Sequence, residues 1–329
     1  IDGKLLWEQK TTSSDLWKRP RDTIPSASPA VSEDTVFLPA LNGRLQAFYL
    51  HDEERPPDVY LSPGRVMVKP TVGKTTIAWP SVYGRAYVSD LHKPNLHGRL
   101  QDPSGSKHQV DSLNDIVAPL AYLPDDKYVS ASLGGFVTCF FERGGQTHWR
   151  LSVGEPVSQT PILVGSTAFV IGENGGMFSI DINKKIVALR DTPQLKAGSV
   201  CTLLPSTCKD NPDSYLVRHP ETAKAVLLPR TQATKKVVLN WESRGVSQFI
   251  SASKDRLYCL DSLNRLVVLD QKTGTHLAKF PTNGVDFVYL NTQTDRLYFG
   301  SKSGLLQCFR ESHEEYPLFH AGVSTRIRR

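Results

Sequence analysis

The sequence predicts an all-β repeat fold, a seven-bladed β-propeller of four-stranded antiparallel blades, with eight blades as the alternative count. Three observations carry this. A glycine turn between two short apolar runs returns along the chain, at Gly43, Gly84, Gly135, Gly176 and Gly304, with Asn264 in the equivalent place. The turns recur at roughly 40 residues, a period of solenoids and propellers. One interval is close to two periods, and "SYLVRHPETAKAVLLPR" (214–230) supplies the missing copy, with two apolar runs around Pro220, Glu221 and Thr222. Finally, runs such as "TVFLPA" and "RLYFGS" are short, rich in Val, Leu, Tyr and Phe, and bounded by Gly, Asn, Asp or Pro. That is strand punctuation rather than helical spacing.

Each copy has room for about four strands. In the fourth, 158–164 is the innermost strand, 167–172 the second, 177–182 the third and 185–190 the outermost. The last copy supplies three, at 286–292, 296–301 and 305–310. A lone strand at 3–10 precedes a first copy that begins near 26. It is expected to complete the last blade and close the ring, with 315–322 competing for that place. One such sheet cannot bury both faces, whereas stacked neighbours can. Residues 1–329 are therefore read as a single domain.

Bulk properties narrow the function classes. The 329 residues carry a net charge of +6 with 39% hydrophobic content, and no apolar run is long enough to span a membrane as a helix. Basic residues cluster modestly near the start (Lys18, Arg19, Arg21) and at the end (Arg326, Arg328, Arg329), where they read as solvated charges. Basic and aromatic residues do not interleave as a nucleic-acid groove requires. The chain begins at Ile1, so a targeting signal would lie upstream.

Candidate chemistry is sparse. Cys139 and Cys308 stand at one repeat position, which in other copies holds Ala47, Val88, Ile180 and Val268. That is an apolar packing site, and Cys259 on a second strand reads the same way. Cys201 and Cys208 form a disulfide in an oxidising compartment or remain free thiols, and spacing alone does not decide. His92, His97 and His108 lie with Asp102 and Asp111 in the long segment 91–115, but their intervals match no ligand motif. This segment is expected to be an exposed excursion between outer strands. The acidic pairs Glu53–Glu54, Asp125–Asp126 and Glu314–Glu315 lie in turns. No nucleophile elbow, phosphate loop or zinc-protease motif is present. No catalytic, cofactor-binding or metal residue is assigned.

The repeat resembles that of the PQQ-like propellers. The residues that carry the resemblance are "SASPAV" (26–31), Gly43–Arg44–Leu45, "GGMFSID" (175–181) and "VLDQKTGTHLAKF" (268–280), with Asp270, Thr273 and Gly274 at the family's positions. Trp7 and Trp149 stand where the family's outer-strand Trp sits. Terminal Trp-Asp and Gly-His pairs, which WD40 repeats would show, are missing. The resemblance implies two poles of function: quinone- and calcium-dependent dehydrogenases with a vicinal cysteine pair, or non-enzymatic exported propellers such as an outer-membrane assembly lipoprotein. This chain has no adjacent cysteines and no acidic cluster resembling the quinone site.

Two expectations follow. The first is a non-catalytic scaffold, monomeric, bacterial and exported or periplasmic, that binds a protein partner, with no cofactor, no nucleic acid and no integral membrane segment. The alternative is an enzyme or small-ligand receptor using the central channel, a quinoprotein-like oxidoreductase being its nearest form. The expected inner strands contain the charges Arg65, Lys69, Asp115 and Asp286, which do not form a matched acid–base pair.

Overall fold

The computed structural model describes residues 24–320 apart from 42, 53–54, 56, 92–107, 124, 184–201, 204–213, 219–224 and 230–238. Among these residues every regular element is a β-strand, and the strands assemble into seven antiparallel sheets. The all-β class and its propeller-blade unit are as the sequence predicts.

The first sheet is β1 (Ala30–Val31), β2 (Thr35–Pro39), β3 (Arg44–Tyr49) and β4 (Asp58–Leu61), paired in chain order. The second is β5 (Thr71–Val72), β6 (Thr76–Ser81), β7 (Arg85–Asp90) and β8 (His108–Asp111). The third is β9 (Ala121–Leu123), β10 (Lys127–Ala131), β11 (Phe136–Phe141) and β12 (Thr147–Ser152). The chain divides into two compact units, residues 1–133 with 138–147, and residues 134–137 with 148–329.

The fourth sheet departs from the expected order. Its first three strands are β13 (Ile162–Val164), β14 (Thr167–Ile171) and β15 (Gly176–Asp181), as expected. Its outer strand is Leu239–Arg244, which pairs antiparallel with β15 from Gly176–Arg244 to Ile180–Leu239. The expected outer strand, 185–190, lies outside the described residues. Between β15 and Leu239–Arg244 the chain builds a separate three-stranded sheet, β16 (Thr202–Leu203), β17 (Ser214–Arg218) and β18 (Ala225–Pro229). The hairpin expected at 214–230 is present as β17 and β18, but it belongs to an insertion within the fourth sheet. Among the described residues six sheets therefore follow one another along the chain, and the seventh is inserted within the fourth.

Leu239–Arg244 is β19. After it come β20 (Gln248–Ala252), β21 (Arg256–Leu260), β22 (Leu266–Asp270) and β23 (His276–Phe280) in one sheet. The last sheet is β24 (Phe287–Tyr289), β25 (Leu297–Gly300) and β26 (Leu306–Phe309). The segment expected to complete it, 3–10, lies outside the described residues. Its competitor contributes an isolated bridge, Phe319 to Thr294, and no strand through residue 320.

Why these runs are almost wholly apolar follows from period-2 alternation. On β6, Ile77 and Trp79 enter one core with Phe37, Leu45, Tyr60 and Tyr87, while Ala78 enters another with Val88, Tyr128 and Phe140. On β21, Leu257 and Cys259 face a core shared with β13–β15 and Trp241, while Tyr258 and Leu260 face Leu297 and Phe299 of β25. A strand buried on both faces needs apolar residues at both parities. The shared core of β13–β15 and β20–β22 also makes these two sheets direct neighbours.

The described turns between second and third strands are short: 40–43, 82–84, 132–135, 172–175, 261–265 and 301–305, the β17–β18 connection at 219–224 lying outside the described residues. Each described turn contains a left-handed residue, namely Gly43, Gly84, Gly135, Gly175, Asn264 or Gly304; in the fourth sheet it is Gly175, not the expected Gly176, which instead opens β15. The recurring turn signal is therefore a backbone requirement.

Candidate binding site

Two carboxylates do the same work in different sheets. Glu142 follows β11, and its side chain reaches the β5–β6 turn of the preceding sheet. Oε1 accepts the Thr75 and Thr76 N–H groups at 2.7 and 2.8 Å and both threonine hydroxyls at 3.0 and 2.9 Å. Oε2 accepts the Tyr122 hydroxyl at 2.8 Å. Glu311 follows β26 and accepts Ser253 Oγ at 2.7 Å and Tyr258 OH at 2.6 Å, from the β20–β21 turn and β21. Burial alone would raise the Glu142 carboxyl. The Thr75 N–H, the Tyr122 hydroxyl and the threonine hydroxyls outweigh it and hold the group below the usual range. Glu311 is lowered in the same way, burial opposing and the Tyr258 and Ser253 hydrogen bonds prevailing. Both tie one sheet to the next through donors that stabilise the charged form.

A third buried carboxylate explains the glycines of "GENGGM". Glu155, 4% exposed, sits in the link after β12. Its Oε2 accepts the Asn174 N–H at 2.9 Å, and Arg244 Nη1 lies 3.3 Å from Oε1. A Cβ on Gly176 would lie 1.8 Å from Oε1, and one on Gly172 2.3 Å from Cδ. The two glycines leave the space that the carboxylate fills.

Outer-strand tryptophans form the other repeated contact. Trp149 on β12 donates its indole N–H to Ile182 O at 3.0 Å. Trp241 on β19 donates to Gln271 O, also at 3.0 Å. Each acceptor directly follows the aspartate that ends the next sheet's third strand, Asp181 or Asp270. Trp241 also packs over Gly274, where a Cβ would meet the indole at 2.4 Å. Asp270 Oδ1 accepts the Lys272 and Thr273 N–H groups at 2.9 and 2.8 Å, which folds the turn that presents this glycine. Trp149 thus lies on an outer strand as expected, and Trp241 marks β19 as its counterpart.

The singled-out residues are dispersed. Cys139 and Cys259 are buried, and burial pushes the Cys139 thiol up to about 12. Cys308 is exposed, contrary to the shared packing site inferred from its repeat position. Ala47, Val88 and Val268 are buried there in cores shared with another sheet, and Ile180 is buried as well. On β26 that face is bare. Cys201, Cys208, His92, His97 and Asp102 lie outside the described residues. His108 and Asp111 begin and end β8. Asp115 Oδ1 accepts the Tyr83 N–H at 3.1 Å, and Asp286 Oδ2 accepts the Lys302 N–H at 2.6 Å. Both aspartates hold turns. No group of three or more His, Cys, Asp or Glu able to hold a metal occurs among the described residues.

A cavity of about 460 Å³ opens beside the Glu142 contact. Its walls are the β5–β6 turn (Lys74, Thr75, Thr76), the end of β7 with His108 of β8, and the β11–β12 connection (Glu142, Arg143, Gly144). Sequence reasoning missed Glu142, Glu155, Glu311 and Trp241. The available signal was positional, since Glu142 and Glu311 fall at the same offset from Gly135 and Gly304.

Neither a family model nor a curated protein sequence matches the chain. Among solved structures it is similar to BamB from Moraxella catarrhalis, at 13% identity and a TM-score of 0.45, covering 89% of this chain and 85% of that one. It is also similar to the β-propeller domain of Cps50 (Swd1) from Myceliophteria thermophila, at 10% identity and a TM-score of 0.48, covering 88% and 84%.

Proposed function

We propose that the chain is a non-catalytic binding scaffold, monomeric and exported, that recognises an acidic protein partner through connections between third and fourth strands. The observation that carries this is an asymmetry within the sheets. The described second-to-third-strand turns are tight, whereas the third-to-fourth connections run from 142–146 and 271–275, through 50–57 and 91–107, to 182–238. Long connections on a rigid frame are where binding residues concentrate. Residues 182–238 contain ten Lys and Arg against four Asp and Glu, and the remainder of the chain holds equal numbers of each sign. The whole net charge of +6 therefore resides in this one connection, which favours an acidic partner and rapid, salt-sensitive association. The exported and bacterial parts of this reading rest on the PQQ-like resemblance, and the single-domain part on the repeat.

The test replaces residues 184–236 by a short glycine-containing turn. The variant is expected to unfold cooperatively like the intact chain and to lose a crosslinked partner that the intact chain captures from a bacterial envelope extract. Equal capture by both proteins, or none by the intact chain, removes the reading.

A further inference from the structure

The cavity between the second and third sheets has a build that the scaffold reading does not use. Its lining combines Val88 with polar and charged side chains. Glu142 closes the back. With its side chain engaged by Thr75, Thr76 and Tyr122, it joins the β5–β6 turn to the β11–β12 connection and fixes the spacing of the two walls. Its negative charge is met by backbone and hydroxyl donors, and the residue is 1% exposed, so it offers nothing to an incoming molecule.

What faces outward is cationic. Lys74 stands on one wall and Arg143 on the other, both exposed, and neither forms an ion pair among the described residues. His108 lies half-buried at the start of β8 along the same cavity. Asp90, the other carboxylate in the lining, is already engaged within the protein.

We propose that this cavity binds a small organic anion bearing carboxylate or phosphate groups, held between the Lys74 ammonium and the Arg143 guanidinium. The volume falls within the range of small-molecule sites. Arg143 supplies a planar donor fork and Lys74 a mobile point charge, a pairing suited to an anion with several oxygens. Walls already pinned by Glu142 reduce the ordering cost of binding. The site goes beyond the partner-binding reading, because none of its residues belongs to 182–238.

Calorimetric titration of the intact chain with citrate, and separately with inorganic phosphate, at constant ionic strength tests this. One saturable site is expected for at least one probe. Lys74→Ala or Arg143→Ala should raise Kd by about ten- to hundredfold, the scale of one lost charged hydrogen bond. Arg143→Lys should recover part of the affinity, and Lys254→Ala, an exposed lysine outside the lining, should leave it intact. Both substituted positions are exposed, and circular dichroism verifies that the variants fold. No saturable binding of either probe at millimolar concentration, or a double variant that binds like the parent, overturns the proposal. The shortened-connection variant retains the cavity, so failure of the scaffold reading and failure of this one are distinguishable.

Discussion

Glu142 satisfies donors from two sheets with one carboxylate, and removing its charge has a calculable cost. Glu142→Gln leaves charge-assisted hydrogen bonds unmade and should destabilise the fold by about 1–3 kcal/mol at neutral pH, read by urea unfolding. The pH dependence has a definite sign. A carboxyl held below its ordinary value contributes stability that is complete above about 4.5 and is lost as pH falls through the depressed value. The parent should therefore lose stability in acid more steeply than Glu142→Gln. Gly176→Ala gives a second residue-scale check. Its Cβ would overlap Glu155 Oε1, so it should cost more than the ordinary glycine-to-alanine change. Glu155→Ala in the same chain should recover part of the loss, a coupling that unfolding of the four proteins in a double-mutant cycle measures. None of these carboxylates was legible as functional from the sequence, because a glutamate after a strand looks like any solvated turn charge. Only the sheet-to-sheet geometry supplies its donors.

Elements were legible where local chemistry decides them. The second and third strands of the sheets follow from turns that demand a left-handed residue, and Asn264 fills the role as the glycines do. The outer strand of the fourth sheet was not legible, because β-strand pairing was assigned by nearness in sequence and β19 returns only after residues 182–238. Trp241 was the clue, since it repeats the environment of Trp149. Trp241→Phe should cost about 1 kcal/mol by leaving Gln271 O without its donor, with a similar loss for Trp149→Phe at Ile182 O, both measured by thermal unfolding. The last sheet was misread for the opposite reason. β26 has the composition of β11, yet Leu306 is 68% exposed, as is Phe287 of the same sheet at 55%. Native-state alkylation followed by peptide mapping should modify Cys308 while sparing Cys139 and Cys259; equal protection of Cys308 would show that this face is covered in solution.

On the scale of the whole molecule, the frame is electrically neutral and its charge is carried by one connection. On the proposed reading, partner association should slow as salt rises and the Debye length shortens. The shortened variant should show little of this dependence, and stopped-flow association rates at several ionic strengths separate the two cases. Fold and charge are thus divided between different stretches of chain. The repeat residues are spent on packing, which is why the repeat reveals architecture and says little about function.

The insertion between β15 and β19 also sets an order of events during folding. Closing the fourth sheet brings together strands separated by a connection roughly tenfold longer than 271–275, which costs about 2 kcal/mol more in loop entropy. The β15 edge therefore waits until the ribosome has delivered residue 244, by which time three earlier sheets have had the chance to form. The same edge is the natural place for the native protein to open first, with β19 as the strand whose amides exchange ahead of β14 and β15.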